Sequence, residues 1–415
     1  MADLRTKTAP EPKPECETRS RSAPVPWLVI IGVGEDGMAG LSATRHAELD
    51  RAAVIFGGPR HLALVNAGER GRPWPVPFSV APVLAERGRA VVVLASGDPF
   101  WFGAGASLAE RLDPDEWIAH PAPSTFSLAA SSLGWSLEKT SCFGLHAAPF
   151  ERLLPALSDG ARAICLMRDG PAVVALAGWL SERGFGASTL HVMEALGGPR
   201  ERVRSARAES FSLADIATPV AAAIEFAGRS GLARASGLPD ERFSHDGQIT
   251  KRPVRALTLS ALAPRPGELL WDIGAGSGSI SIEWCLSGGR AVAIETRADR
   301  AATIRANARE FGVDHLLHVV DGAAPDAFAN LPEPNAAFIG GGADEVLLAA
   351  LWERLPAGAR IVANAVTLET EALLTLWHGR KGGELLRIEL SVAAPLGSMR
   401  GWRPARPVTQ WSVTR

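Results

Sequence analysis

The sequence predicts an α/β protein of two domains, the second of them a doubly wound parallel sheet. Three observations carry that class. The chain has 415 residues, more than one ordinary domain holds. Its second half alternates strand-like apolar runs with helical stretches in the order β-α-β-α-β-α. Residues 269–284, LLWDIGAGSGSISIEW, join a buried-strand pattern to a glycine turn and a helix start. Such a unit brings backbone N–H groups and a helix N-terminus up to a ligand at the strand ends.

Composition sets the outer bounds. Hydrophobic residues make up 47% of the chain, enough for sizeable cores, and the net charge of −2 gives no global attraction to nucleic acid. Of the 43 basic residues only five are Lys. A GC-rich genome explains that bias, as does recognition of carboxylates, for which Arg is well shaped. Cys16, Cys142, Cys165 and Cys285 are scattered without metal or redox spacing. A reducing, cytoplasmic setting is therefore expected, with no metal.

Residues 1–24 mix Lys, Arg, Glu, Pro and Ser without an apolar core, and read as a disordered tail rather than a signal or membrane segment. No later apolar run is long enough to span a bilayer, so no membrane partner is expected. The first domain is placed at 25–228. Residues 27–33, WLVIIGV, form a strand entering Gly32-Val33-Gly34-Glu35-Asp36-Gly37. This matches G-x-G-x-x-G literally, but the next strand, 53–56, ends in Gly57-Gly58 rather than an acid, so a dinucleotide would lack its ribose ligand. Strand 90–94 leads into Ser96-Gly97-Asp98-Pro99-Phe100-Trp101-Phe102-Gly103, where Asp-Pro fixes a turn and the glycines admit close approach of the backbone. Pro121-Ala122-Pro123-Ser124-Thr125-Phe126 opens a helix through Leu133-Gly134-Trp135, and Ser124 or Thr125 serves equally as its N-cap. A helix at 150–157, a strand at 163–167, a helix from Pro171 to Arg183 and strands at 189–194 and 219–226 complete this half.

Together these segments resemble the tetrapyrrole methylase family, in its precorrin-methylating branch. The carrying motifs are the loop at 31–36, S-G-D-P-F-W-F-G at 96–103, P-A-P-S-T-F at 121–126, L-G-W at 133–135 and E-A-L-G-G-P-R-E at 194–201. The resemblance implies a two-subdomain tetrapyrrole methylase fold. It also implies an S-adenosylmethionine (SAM) site touched by Gly32, Gly34, Ser96, Gly97, Asp98, Phe102, Ser124 and Thr125.

Residues 229–240 read as a linker rich in Gly, Arg, Ser and Pro, and 241–415 as the second domain. Asp246–Thr250 precedes, as a loop, a helix with apolar residues at 254, 257, 259 and 261. After strand 269–273 the glycines fall at 274, 276 and 278, an Asp-x-G-x-G-x-G pattern similar to that of SAM methyltransferases. The second strand ends in Glu295, 23 residues after Asp272, where an acid receives ribose hydroxyls. That strand end is expected to be exposed. A polar helix at 298–310, a strand at 316–320 ending near Asp321, Ala323 and Ala324, a strand at 335–339, a helix at 346–355 and a fifth strand at 359–364 follow.

D-G-Q-I-T-K, W-D-I-G-A-G-S-G-S, I-G-G-G and N-A-V-T-L-E resemble the C15-methylating, decarboxylating enzymes of cobalamin synthesis. That resemblance implies a Rossmann-like domain holding a second SAM at Thr250, Asp272, Gly274, Ala275, Gly276, Ser277, Gly278, Glu295, Asp321, Ala323 and Ala324. Ala323 stands where related enzymes often carry an acid facing the adenine amine, and Asp321 is the nearest substitute. Asp246 and Glu283 are candidate proton-handling or positioning groups. Lys251, Arg252, Arg255, Arg400, Arg403 and Arg406 are candidates either for binding substrate carboxylates or for plain surface charge.

The fused pair implies SAM-dependent methylation of precorrin-6Y (precorrin-6B) at C5 and C15. Loss of the C12 acetate carboxyl would give precorrin-8X. A homo-oligomer without a nucleic-acid partner is expected. The competing expectation is a SAM-dependent RNA methyltransferase, against which no basic stripe interleaves with aromatic residues.

Overall fold

The computed structural model describes residues 26–228 and 231–415. The tail expected at 1–24, and Arg229 and Ser230 of the expected linker, lie outside the described residues. The chain divides into two compact units, one reaching to Leu137 and including Met193–Val203, the other formed by Glu138–Val192 and Arg204–Arg415.

The first unit is built on a parallel sheet of β1 (Leu28–Val33), β2 (Val54–Gly57), β3 (Gly71–Pro73), β4 (Val91–Ser96) and β5 (Trp117–His120). Its strand order is β3-β2-β4-β1-β5. β1 is buried along its whole length. Val29, Ile31 and Val33 belong to one apolar cluster, and Leu28 and Ile30 to another. Period-two alternation thus feeds cores on both faces of the sheet, as a parallel sheet requires. Val33 pairs in register with Ser96, so the loops after β1 and β4 leave the sheet side by side.

The second sheet contains β6 (Thr140–Gly144), β7 (Arg162–Met167), β8 (Thr189–Glu194), β9 (Arg202–Arg207) and β10 (Val220–Glu225), in the order β6-β7-β10-β8-β9. Helix Gly170–Glu182 packs Val173, Leu176 and Leu180 into the core that lies against it. The segment expected as a helix at 150–157 is a 3-10 stretch, Phe150–Ala156. Pro155 lies inside it and has no N–H to continue an α-helical ladder.

The third sheet carries β11 (Leu269–Ile273), β12 (Arg290–Glu295), β13 (Leu317–Asp321), β14 (Ala336–Ile339), β15 (Arg360–Ala365), β16 (Glu384–Ile388) and, after a separate hairpin of β17 (Ser391–Leu396) and β18 (Met399–Pro404), β19 (Val408–Thr414). The order is β13-β12-β11-β14-β15-β19-β16. The first five strands are parallel and β19 runs antiparallel to both neighbours. From β11 the chain moves first to one side, through β12 and β13, and then to the other, through β14 and β15. The strand order reverses at β11, and ligands of such sheets sit outside that reversal.

Candidate functional site

At the end of β11 the backbone turns through Gly274, Gly276 and Gly278 at φ of 69°, 60° and 74°. All three are left-handed, a conformation that costs any residue with a Cβ. Helix Ser279–Leu286 starts directly behind the turn. Gly276 N–H donates to Glu295 Oε2 at 2.9 Å, and Arg297 N–H donates to Oε1 at 3.0 Å. Glu295 therefore fastens the end of β12 to the glycine turn. It is 4% exposed, which corrects the expectation of an exposed strand end.

Asp272 is fully buried beneath the same turn. Its Oδ2 accepts the Ser281 hydroxyl at 2.6 Å and the Ser281 N–H at 3.2 Å. Its Oδ1, like the nearby Ser277 Oγ, is buried with no partner. Burial pushes the Asp272 carboxyl up to about 6. A buried acceptor left open under a ring of left-handed glycines fits a cationic amine ligand. The turn, Asp272 and Glu295 thus fit SAM.

A roof lies over the turn. The Gln248 carbonyl oxygen is 3.3 Å from where a Cβ on Gly276 would stand. Asp246 holds this loop, accepting Gln248 N–H at 3.0 Å and Arg300 Nε at 2.9 Å. The Gln248 N–H and then Arg300 hold its carboxyl below the usual range. Asp246 is therefore an anchored carboxylate that fixes this loop, the positioning role of the two expected of it. Glu283 takes a positioning role too. It is buried and accepts Gly237 N–H at 2.6 Å, Leu238 N–H at 2.9 Å and Arg255 Nε at 2.6 Å, which hold its carboxylate within the fold. Arg255, expected as a possible carboxylate binder, is 0% exposed. It ties Glu283 to Asp240, the Thr250 carbonyl and the Leu238 carbonyl.

The Thr250 carbonyl is thus held by Arg255. Asp321 lies beside Glu295 in register, but Arg305 Nη2 holds it at 2.7 Å. Ala275 N–H donates to the Ile294 carbonyl, and Ala323 and Ala324 stand in the loop after β13. Arg400 and Arg403 lie on the β17–β18 hairpin. Sequence reasoning missed Arg300 and Ser281, whose roles depend on contacts across 54 and nine residues.

In the first unit three loops meet. A Cβ on Gly32 would lie 1.9 Å from the Gly97 carbonyl oxygen and 2.6 Å from Ala122 N, so only glycine fits there. Gly97 N–H donates to the Val33 carbonyl at 3.1 Å, and Ala122 N–H to the Gly97 carbonyl at 3.0 Å. Ser124 caps helix Thr125–Leu133 by accepting Ser127 N–H at 3.0 Å. Asp98 Oδ1 accepts Phe100 N–H at 2.9 Å and sets the turn. Phe102, at φ of 58° and 55% exposed, lies 5.9 Å from the Phe126 ring. A Cβ on Gly34 would meet Asp36 Oδ1 at 2.5 Å. Gly32, Gly34, Ser96, Gly97, Asp98, Phe102, Ser124 and Thr125 are therefore gathered at the carboxyl ends of β1 and β4. Loop backbone gathered at parallel strand ends fits a nucleoside-bearing ligand there too.

Among the described residues no group of three or more His, Cys, Asp or Glu is placed to hold a metal ion, and no helix is long and apolar enough to cross a membrane.

Two family models match the chain. Tetrapyrrole (corrin/porphyrin) methylases match residues 27–212, and the precorrin methyltransferase domain matches 241–415. A precorrin-6Y C(5,15)-methyltransferase (decarboxylating) from Sinorhizobium sp is 51% identical over 401 residues, 94% of this chain and 97% of that protein. One of the same name from Mycobacterium tuberculosis is 44% identical over 395 residues, covering 94% of this chain and 100% of that protein. The solved C-terminal domain of precorrin-6Y C5,15-methyltransferase from Rhodobacter capsulatus is 59% identical and covers 44% of this chain and 100% of its own, with a TM-score of 0.44.

Proposed function

Because the chain belongs to the precorrin-6Y C(5,15)-methyltransferase (decarboxylating) family, we propose that its two halves divide that reaction between two SAM sites. The chain is a SAM-dependent methyltransferase of cobalamin biosynthesis that methylates the precorrin ring at C5 and C15 and decarboxylates it. The RNA-methylating alternative finds no support in these relatives. In the proposed division, residues 25–228 methylate C5, and residues 241–415 methylate C15 and release the C12 acetate carboxyl; of the expected linker at 229–240, residues 237–240 pack on the second half through Glu283 and Arg255. The observation that carries the division is the pair of glycine turns, each at the carboxyl ends of its own parallel sheet and each within its own family match.

SAM supplies, when bound, an electrophilic methyl group on a sulfonium. In the C-terminal site the Asp272 and Ser277 oxygens would receive its amine and Glu295 its ribose hydroxyls, and the 246–250 loop would cover it. In the N-terminal site Gly32 and Gly97 let the loops after β1, β4 and β5 pack on one another, and that gathered loop backbone would meet the nucleoside. The meso carbons of the ring are enamine-like and already nucleophilic, so these residues chiefly align carbon and methyl and exclude water. The conjugated ring takes up the electron pair released on decarboxylation, so no further electron sink is required of the protein.

A homo-oligomer, the absence of a nucleic-acid partner and a cytoplasmic location belong to the same proposal. Exposed Val392, Leu396, Met399 and Trp402 on the β17–β18 hairpin support association of copies. Free Cys142, Cys165 and Cys285 support a reducing compartment.

Calorimetry of the full chain tests the division. Two equivalents of SAM should bind, and Glu295→Gln should weaken one of them about tenfold or more, since each charge-assisted hydrogen bond lost is worth ~1.5–3 kcal/mol. One equivalent in the wild type, or both sites weakened together in the variant, would contradict it.

A further inference from the structure

Beside Ser96, one of the residues of the N-terminal site, lies a charged cluster of Glu35, Arg60, His61 and Arg200. Glu35, in the loop after β1, is nearly buried, its side chain 8% exposed. It holds two guanidiniums, pairing with Arg60 through Oε1 and lying 3.5 Å from Arg200 through Oε2. Arg200 reaches it because the 197–200 turn packs directly on Glu35. A Cβ on Gly198 would lie 2.4 Å from that of Glu35, so the approach depends on glycine. Arg60 Nη2 also donates to Ser96 Oγ at 2.7 Å and to His61 Nε2 at 2.8 Å. A guanidinium only donates, so His61 Nε2 accepts and the imidazole is neutral, with its proton on Nδ1.

The cluster thus holds two positive charges against one negative charge. Two groups register the excess. Arg60 is pushed below the usual guanidinium range by burial and by Arg200. His61 is lowered to about 4 by burial and by Arg60. The groups facing His61 are Arg60 from its own helix and Ser96 from β4, with Glu35 and Arg200 behind Arg60. Arg200 is 63% exposed at its side chain and makes one long contact, so most of its donors are free. A carboxylate arriving there would relieve the repulsion between the guanidiniums and find planar donors already aimed by Glu35.

We propose that Arg60 and Arg200, oriented by Glu35, form the subsite that takes a carboxylate of the tetrapyrrole and so positions the ring beside Ser96 for the N-terminal methyl transfer. This rests on the reading of the N-terminal half as the C5-methylating one. Arg200 is the contact group, and Glu35 acts through it as a positioning residue. Arg200→Gln leaves the buried Arg60–Glu35 pair in place and is the variant of choice.

The test measures C5 and C15 methylation by the full-length variant, using the tetrapyrrole both as free acid and as methyl ester. Arg200→Gln should raise KM for C5 methylation of the free acid about tenfold with little change in kcat, and leave C15 methylation unchanged. Arg200→Lys should recover most of the loss, and the methyl ester should give equal KM for wild type and Arg200→Gln. An unchanged KM in Arg200→Gln, or a gap as wide on the ester as on the acid, would overturn the subsite. Absence of C5-methylated product in the wild type would instead overturn the reading on which it rests.

Discussion

Asp272 offers a test of the C-terminal site that needs no turnover. Burial raises its carboxyl from 3.8 to about 6, and its Oδ1 is unpartnered. The shift corresponds to ~3 kcal/mol between the two protonation states. A folded-state value above the unfolded one means that the folded chain holds the proton more tightly between pH 3.8 and 6. That stability is complete below 3.8 and is lost as pH rises through 6. A cationic ligand on Oδ1 reverses the preference by favouring the carboxylate. At pH 6 about half of the Asp272 carboxyls carry a proton, so SAM binding at this site should release ~0.5 proton, against ~0.1 at pH 7, where an α-amino group is still largely protonated. Calorimetry in buffers of different ionisation enthalpy counts these protons. The observed enthalpy should depend on the buffer at pH 6 and lose most of that dependence at pH 7. Asp272→Asn should remove the pH 6 component and weaken the same site. A wild-type enthalpy independent of buffer at pH 6 would refute the placement of the ligand's positive charge on Asp272.

Two further outcomes concern packing and pH. Arg255→Met should cost ~3–5 kcal/mol, because it leaves buried Glu283 without its cationic partner; denaturant unfolding of the full chain checks this. His61, lowered to about 4 from 6.5, takes up its proton more readily when unfolded, so the first unit should lose stability as pH falls from 6.5 towards 4. Between pH 7.5 and 5 hydrogen exchange of the β1 and β4 amides should report ~2 kcal/mol more loss in wild type than in His61→Gln.

Much of this was legible because parallel strands advertise themselves. β1, β4, β11 and β12 are near-continuous apolar runs, and their ends place the glycine turns without further information. Glu295 is readable as the last residue of β12, since its spacing from Asp272 follows from one helix between two strands. Its burial is not readable, because that depends on the Gly276 N–H folding back across 19 residues. The C-terminal strands β16 to β19 escape notice for a different reason. β17 and β18 pair only with each other and carry Arg, Pro and Gly, so neither periodicity nor apolar content marks them. Glu283 and Arg255 show the reverse error. Charged residues on a helix near a glycine loop suggest chemistry, yet both are buried in one network that pins residues 237–240 to helix Ser279–Leu286.

The division of labour is tested most directly by the mass of the products. Gly276→Trp fills the C-terminal glycine turn beneath the Gln248 carbonyl and leaves the N-terminal loops untouched. Wild-type chain given SAM and the tetrapyrrole should yield a product with two added methyl groups and one carbon dioxide lost. Gly276→Trp should yield one added methyl group with every carboxyl retained. A Gly276→Trp product that has lost carbon dioxide, or no methylated product from a variant that still folds, would contradict the assignment of the two reactions to two halves.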